Sequence, residues 1–457
     1  MLIKEKIYLF LPHFFQNYLV TIYDFLAYRK RHSGVYNYYK RYYNQSESLS
    51  RKELEKEQER RFETFMKQTY STSQFYKNKI DSAGININNF DLTSLNKISI
   101  TTKEDLRTNI NQICSDKKSK IVSHTGGTTG KSLTVYFSYQ NAQERFACLD
   151  NFKSRFGWNF GAKTAWFSGK TLLNRRDLRS NRYWKTDFLY NIRYYSTFHI
   201  NEQTIEYYIQ NLNLYQPLFL SGFPSSISEI ARYGIKHNLR LNYQPIAIFP
   251  TAESITEVDK ISMELFYNCQ VCDQYASSEG APFITQCKNG HMHLEPLSGI
   301  FEVLDDMGVP SESGELIVTP FATEATPLVR YKIGDSIELE TEKLNCYLNY
   351  PIVKKINGRI NDFIYSNETG KINLGNISNI VKYVKGVNRF QIIQNEESKI
   401  IVLIVCDHFF NNKNEKKLIK ELRARVGDVI EIQICKVPEI KQEKSGKYRI
   451  VKNNLKF

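Results

Sequence analysis

Hydrophobic positions change their rhythm along the chain. Up to about residue 70 they recur at helical spacing and are dense in aromatics. Ile7, Tyr8, Leu9, Phe10 and Leu11 lead into Phe14, Phe15, Tyr18, Leu19 and Val20, interrupted by Pro12, His13, Gln16 and Asn17. From about residue 95, short β-branched or aromatic runs at 121–122, 134–137, 165–167 and 246–249 alternate with helical stretches. That alternation predicts α/β layers. After Gly314, residues 315–319 and 336–339 read as antiparallel strands. Near the C-terminus, strands at 390–394 and 400–406, a helix at 415–425 and a strand at 429–435 form a small α+β unit.

Composition narrows this picture. With 457 residues, 41% of them hydrophobic and 13% aromatic, the chain has material for two or three packed domains and is not disordered. Eight cysteines are too few for a disulfide scaffold and predict buried free thiols in a reducing compartment. No run reaches the roughly 18 apolar residues of a membrane span, and no small-residue cleavage site follows the apolar start. A cytoplasmic protein is expected.

The net charge of +14 admits an anionic ligand, a membrane surface or nucleic acid. Arg29, Lys30, Arg31, Lys40 and Arg41 are interleaved with Tyr28, Tyr36, Tyr38, Tyr39, Tyr42 and Tyr43. Such a segment either caps the main domain with its aromatics or rests peripherally on the anionic inner membrane surface. No nucleic-acid motif accompanies the charge, so no nucleic-acid partner is expected.

The densest chemistry lies at 123–132. After a short predicted strand, Thr125, Gly126, Gly127, Thr128, Thr129, Gly130 and Lys131 run together, followed by Ser132. Glycines free backbone N–H groups to face an anion, hydroxyls add donors, and the lysine supplies a point charge. A Walker-type loop needs its first glycine at position 125, which is Thr125. A different phosphate cradle is therefore expected.

This stretch resembles the phosphate-binding signature of acyl-adenylate-forming enzymes, with Gly126 in place of a hydroxyl residue and Ser132 in place of proline. Further stretches resemble that family's later motifs, in order. They are Thr251-Ala252-Glu253, Gln274-Tyr275 through Ser278-Glu279-Gly280, Arg330-Tyr331 through Gly334-Asp335, Gly358-Arg359 through Asn361-Asp362, and Ser445-Gly446-Lys447. Segments around Pro12, His199 and Gly222 resemble phenylacetate–CoA ligase relatives of the capsule-biosynthesis (CapK-like) type.

The resemblance implies a large multi-subdomain adenylation domain at 1–358, with 1–70 its helical basic and aromatic segment, and a small lid at 359–457. It implies ATP and Mg²⁺ as cofactors and a small-molecule carboxylate as substrate. The acceptor is a thiol such as coenzyme A, or an amine or sugar hydroxyl in polysaccharide biosynthesis. Thr125 to Lys131 would hold phosphates. Ala252, Glu253, Tyr275 and Ser278 would flank adenine, while Asp335 and Arg359 would hold the ribose. Glu279 would carry Mg²⁺ and Lys447 would be the catalytic lysine. Asn361 stands where the family has a hinge aspartate. The alternative function is a non-catalytic, membrane-associated assembly protein that keeps this fold.

One further cluster stands apart. Cys287 and His293, in Cys287-Lys-Asn-Gly-His291-Met-His293, could join Cys346 on Zn²⁺. Three ligands fall short of a closed four-ligand site, which favours a metal-free relic.

Overall fold

The computed structural model describes residues 8–114, 121–124, 134–170, 172–277, 279–342, 344–359, 363–373, 380–381, 384–443 and 448–455. The chain is mixed α/β and forms two compact units, each built from separated segments. One comprises 1–25, 158–273 and 357–457, the other 26–157 and 274–356.

The second unit is built on helices and an antiparallel sheet. Its long helix, Arg51–Thr72, starts at a capping box. Ser50 accepts from the Glu53 amide while the Glu53 carboxylate takes the Ser50 N–H. Phe62, Phe65, Met66 and Thr69, spaced at helical period, face inward. Phe62, Phe65 and Met66 pack with Val135, Phe137, Leu316, Val318 and Tyr331 in one apolar core. The sheet orders its strands Gly299–Leu304, Ser313–Pro320, Tyr331–Leu339, Ile352–Arg359, Met292–Leu294, Phe283–Gln286 and Gln274–Ala276.

In the first unit a six-stranded sheet runs Trp184–Asp187, Ile192–Ser196, Thr164–Ser168, Phe219–Gly222, Ala247–Pro250 and Gln270–Val271. All pairings are parallel except that of Trp184–Asp187 with Ile192–Ser196. In such a sheet, ligands bind beyond the carboxyl ends of the strands. At that edge a Cβ on Gly222 would meet the Phe167 carbonyl oxygen at 1.9 Å, so the close strand approach requires glycine.

The C-terminal part of this unit has the expected rhythm. Strands Glu431–Lys436, Lys399–Cys406, Val387–Glu396 and Val451–Asn453 form one sheet. Helix Asn412–Val426 buries Leu418, Leu422 and Val426 against Ile392, Val402 and Ile404.

Residues 13–72 are largely helical, as the early periodicity predicts. The aromatics of this segment divide. Tyr36 and Tyr43 are buried and hydrogen-bond Asp150 and Glu144, whereas Phe14, Phe15, Tyr18, Tyr23 and Phe25 of helix His13–Arg31 stay exposed. No helix among the described residues is long and apolar enough to cross a membrane.

Candidate functional site

In the second unit, the structure brings Tyr275 into contact with Asp335 and places Glu279 shortly after the Tyr275 strand. Tyr275 lies on strand Gln274–Ala276 and donates its hydroxyl to the Asp335 carboxylate. Asp335 reaches that position through a bulge. Opposite the strand Ser313–Pro320, Lys332 pairs Ile317 and Ser336 pairs Glu315, so three residues stand against one. Gly334, with φ +86°, lies inside the bulge.

Glu279 follows Tyr275 in a tight turn. Its amide donates to Ser277 Oγ at 3.1 Å, and Ser277 Oγ donates to the Ala281 carbonyl at 2.9 Å. Gly280 sits at φ +125°, where a Cβ would fall 2.3 Å from Thr323 Cγ2. This holds the mostly buried Glu279 carboxyl inside the unit.

Two residues that sequence reasoning assigned no role stand beside it. Burial lowers Arg145 to about 10, and the nearby Glu279 charge opposes that loss. Arg145 also donates to the Ser277 carbonyl at 2.9 Å and lies over Phe137. Burial, then the charge of Glu279, pushes the Tyr331 hydroxyl well above its usual range. That hydroxyl has no hydrogen-bond partner among the described residues. Its place in the Arg330-Tyr331 motif was the available signal, whereas nothing in the sequence marked Arg145. Arg330 itself is structural: its guanidinium pairs with Glu302 and donates to the Asn96 and Ile98 carbonyls.

In the first unit, Ala252 and Glu253 stand just beyond the carboxyl end of strand Ala247–Pro250. Ala252 has φ +69°, a strained turn for a residue with a side chain. Glu253 accepts from the Tyr448 amide at 2.7 Å and the Ser225 amide at 3.2 Å. Burial raises its pKa against these hydrogen bonds. Arg389 stacks on Tyr448, 4.1 Å from the ring centre, and pairs with Glu229. Gln442 donates to the Thr197 carbonyl at 3.3 Å. The C-terminal segment therefore lies over the carboxyl-end edge of the parallel sheet. His199, at the same edge, meets Ser196 Oγ at 2.8 Å through Nδ1, and burial lowers its pKa.

Arg359 ends strand Ile352–Arg359. Thr125, Gly126, Gly127, Thr128, Thr129, Gly130, Lys131, Ser278, Asn361 and Lys447 lie outside the described residues.

The cysteine and histidine residues converge in the second unit. Cys287, His293 and Cys346 are joined by His291, which the expected ligand set lacked, and their ligand atoms all lie within 4.8 Å of one another. Burial lowers His293 to about 4.

The model of the CapK C-terminal domain matches residues 364–454. Over 450 residues the chain is 36% identical to Protein CapK of Staphylococcus aureus, covering 97% of this chain and 98% of that protein. The fold is shared with 2-hydroxyisobutyryl-CoA ligase in the postadenylation state with R3-HIB-AMP. There the TM-score is 0.71 at 15% identity, over 89% of this chain and 90% of that one. With the same ligase in its thioesterification state, bound to 2-HIB-AMP and CoA, the TM-score is 0.54 at 17% identity, over 89% and 91%.

Proposed function

We propose, from the premise that this chain belongs to the CapK family, that it activates a small carboxylic acid with ATP and passes the acyl group to an acceptor. A carboxylate oxygen attacks the α-phosphorus of ATP, the bond to pyrophosphate breaks, and acyl-adenylate forms. The acceptor, a thiol such as that of coenzyme A or an amine or sugar hydroxyl, then displaces AMP.

The observation that carries this reading is the convergence of Tyr275, Asp335 and Glu279 with the Tyr331 hydroxyl, which has no hydrogen-bond partner among the described residues. The donor set fits a nucleotide: a ring for the base, a carboxylate for ribose hydroxyls and a second, buried carboxylate. Glu279 would hold Mg²⁺, which supplies charge neutralisation at the phosphates. Thr125 to Lys131 cradle the phosphates, and Ala252, Glu253 and Ser278 border the adenine. Arg359 approaches the ribose. Lys447 neutralises charge on the α-phosphate and the attacking carboxylate. Domain boundaries at 358/359 would make the C-terminal part a lid that carries Lys447.

The test is ATP–pyrophosphate exchange with Mg²⁺ and pooled carboxylic acids. Carboxylate-dependent exchange that disappears in Lys447→Ala is expected. Tight ATP binding without exchange in any pool would overturn the catalytic reading in favour of the non-catalytic one.

A further inference from the structure

We infer that Cys287, His291, His293 and Cys346 form a closed, tetrahedral Zn²⁺ site. Cys287 Sγ stands 3.5 Å from Cys346 Sγ, and Cys346 Sγ stands 3.3 Å from His293 Nε2. Ligands on one tetrahedral zinc, at bonds of about 2.3 Å to sulfur and 2.0 Å to nitrogen, are separated by about 3.3–3.8 Å.

The surroundings prepare each donor. His293 Nδ1 donates to the Tyr350 carbonyl at 3.2 Å, which leaves Nε2 with its lone pair toward Cys346. His291 has a buried Nδ1 with no hydrogen-bond partner among the described residues. A tight turn brings His291 back to Cys287. The Cys287 amide donates to the His291 carbonyl at 2.8 Å and the Gly290 amide to the Cys287 carbonyl at 3.0 Å, with Gly290 at φ +88°. Two thiolates and two imidazoles select zinc over magnesium or calcium, and four protein donors leave no position open for substrate. The ion is structural. It joins the hairpin of Phe283–Gln286 and Met292–Leu294 to the segment that carries Cys346.

Elemental analysis of full-length protein purified with zinc present and no chelator should find about one zinc per chain. The double variant His291→Ala/Cys346→Ser should lose nearly all of it. Should that variant fail to fold, wild type stripped of metal and titrated with Co²⁺ should show thiolate charge-transfer bands. Absence of both zinc and cobalt bands in folded wild type with reduced thiols overturns the site, as does full zinc retention by the double variant.

A second, independent observation concerns helix His13–Arg31, which is amphipathic the wrong way round. Its buried residues are Gln16, Asn17, Val20 and Asp24. Two of the polar ones are satisfied: Gln16 donates to the Tyr8 carbonyl, and Asn17 accepts from the Thr186 amide. The fully buried Lys185 donates to Gln16 and, at 2.6 Å, to Asp177, which also meets His13 at 3.0 Å. Outward stand Phe14, Tyr18, Ile22 and Phe25, at 42–56% exposure, beside the equally exposed Phe188.

We propose that this face rests on an anionic lipid bilayer. The helix's only carboxylate, Asp24, points inward, and its last turn is Arg29-Lys30-Arg31. Apolar and aromatic groups flanked by cations match the interface of a negatively charged membrane. Full-length protein should sediment with phosphatidylcholine vesicles containing about three parts in ten phosphatidylglycerol, and not with phosphatidylcholine alone. Phe14→Glu/Ile22→Glu, both at exposed positions, should weaken that partitioning by about tenfold or more. Wild type that stays in the supernatant overturns the proposal. So does a dimer that dissociates in this variant without vesicle binding, which would assign the face to a second copy.

Discussion

The carboxylate of Glu253 holds the backbone amide of Tyr448 at 2.7 Å, tying the turn after strand Ala247–Pro250 to the C-terminal segment. The residue preceding Tyr448 in the chain is Lys447, the proposed catalytic lysine. Glu253→Ala should lower the rate of pyrophosphate exchange by about 10–100-fold, equivalent to about 1.4–2.7 kcal/mol. Glu253→Gln keeps an accepting oxygen and should recover much of the rate. Equal losses in both variants would separate Glu253 from lysine placement.

Tyr275 and Asp335 should act on binding rather than on rate. Tyr275→Phe removes the hydroxyl that orients the Asp335 carboxylate and should raise the ATP Kd by about tenfold, the scale of one charge-assisted hydrogen bond. Asp335→Ala should weaken ATP further. Calorimetric titration with ATP and Mg²⁺ checks both, and unaltered affinity in Asp335→Ala would refute the ribose role.

Lys185 and Asp177 form a buried ion pair behind the outward-facing helix. Burial lowers Lys185 to about 8, while hydrogen bonds from His13 and Lys185 overcome burial and hold Asp177 down to about 2. Lys185→Met removes the fully buried cation, leaves Asp177 with only the less buried His13 and Arg182, and should cost about 3 kcal/mol. Lys185→Met/Asp177→Leu should recover most of that loss. Denaturant unfolding of the two variants beside wild type measures the difference.

Asp187 gives a pH signature. Burial, with Asp24 adding to it, raises its pKa to about 6 against two amide hydrogen bonds. A carboxyl whose folded pKa exceeds its unfolded value of about 3.9 holds its proton more tightly when folded. Its contribution is therefore largest below about pH 4 and is lost as pH rises to about 6. Asp24→Asn removes the neighbouring carboxylate and should flatten the fall in Tm across that window by about 2–4 °C. An unchanged slope would separate Asp24 from this titration.

Much of this architecture was legible in the chain. The run 134–137 predicts strand Thr134–Phe137, and the C-terminal rhythm matches strands Val387–Glu396 and Lys399–Cys406 and helix Asn412–Val426. Periodicity reports local burial, and these elements are locally encoded. The outward aromatics were not legible as such, because an aromatic stripe ordinarily marks a buried face. Here inward-facing Gln16 and Asn17 bond Lys185 and Thr186, each 169 residues further along the chain. His291 was hidden similarly: only the turn at Gly290 makes a residue four positions on a neighbour of Cys287. Arg145 has no signal in its helix, since its significance comes from Glu279 in a separate segment.

The bulge at Gly334 has a consequence of handedness. A Cβ built there meets nothing within 4 Å, so volume places no limit on the position. The limit is the sign of φ, which at +86° disfavours every L side chain but suits its mirror image. A D-alanine placed at 334 by chemical ligation should leave Asp335 beside Tyr275, whereas L-alanine should pull it away. Among the encoded amino acids the only achiral one meets that requirement, and the aim of a carboxylate one residue later depends on a missing stereocentre.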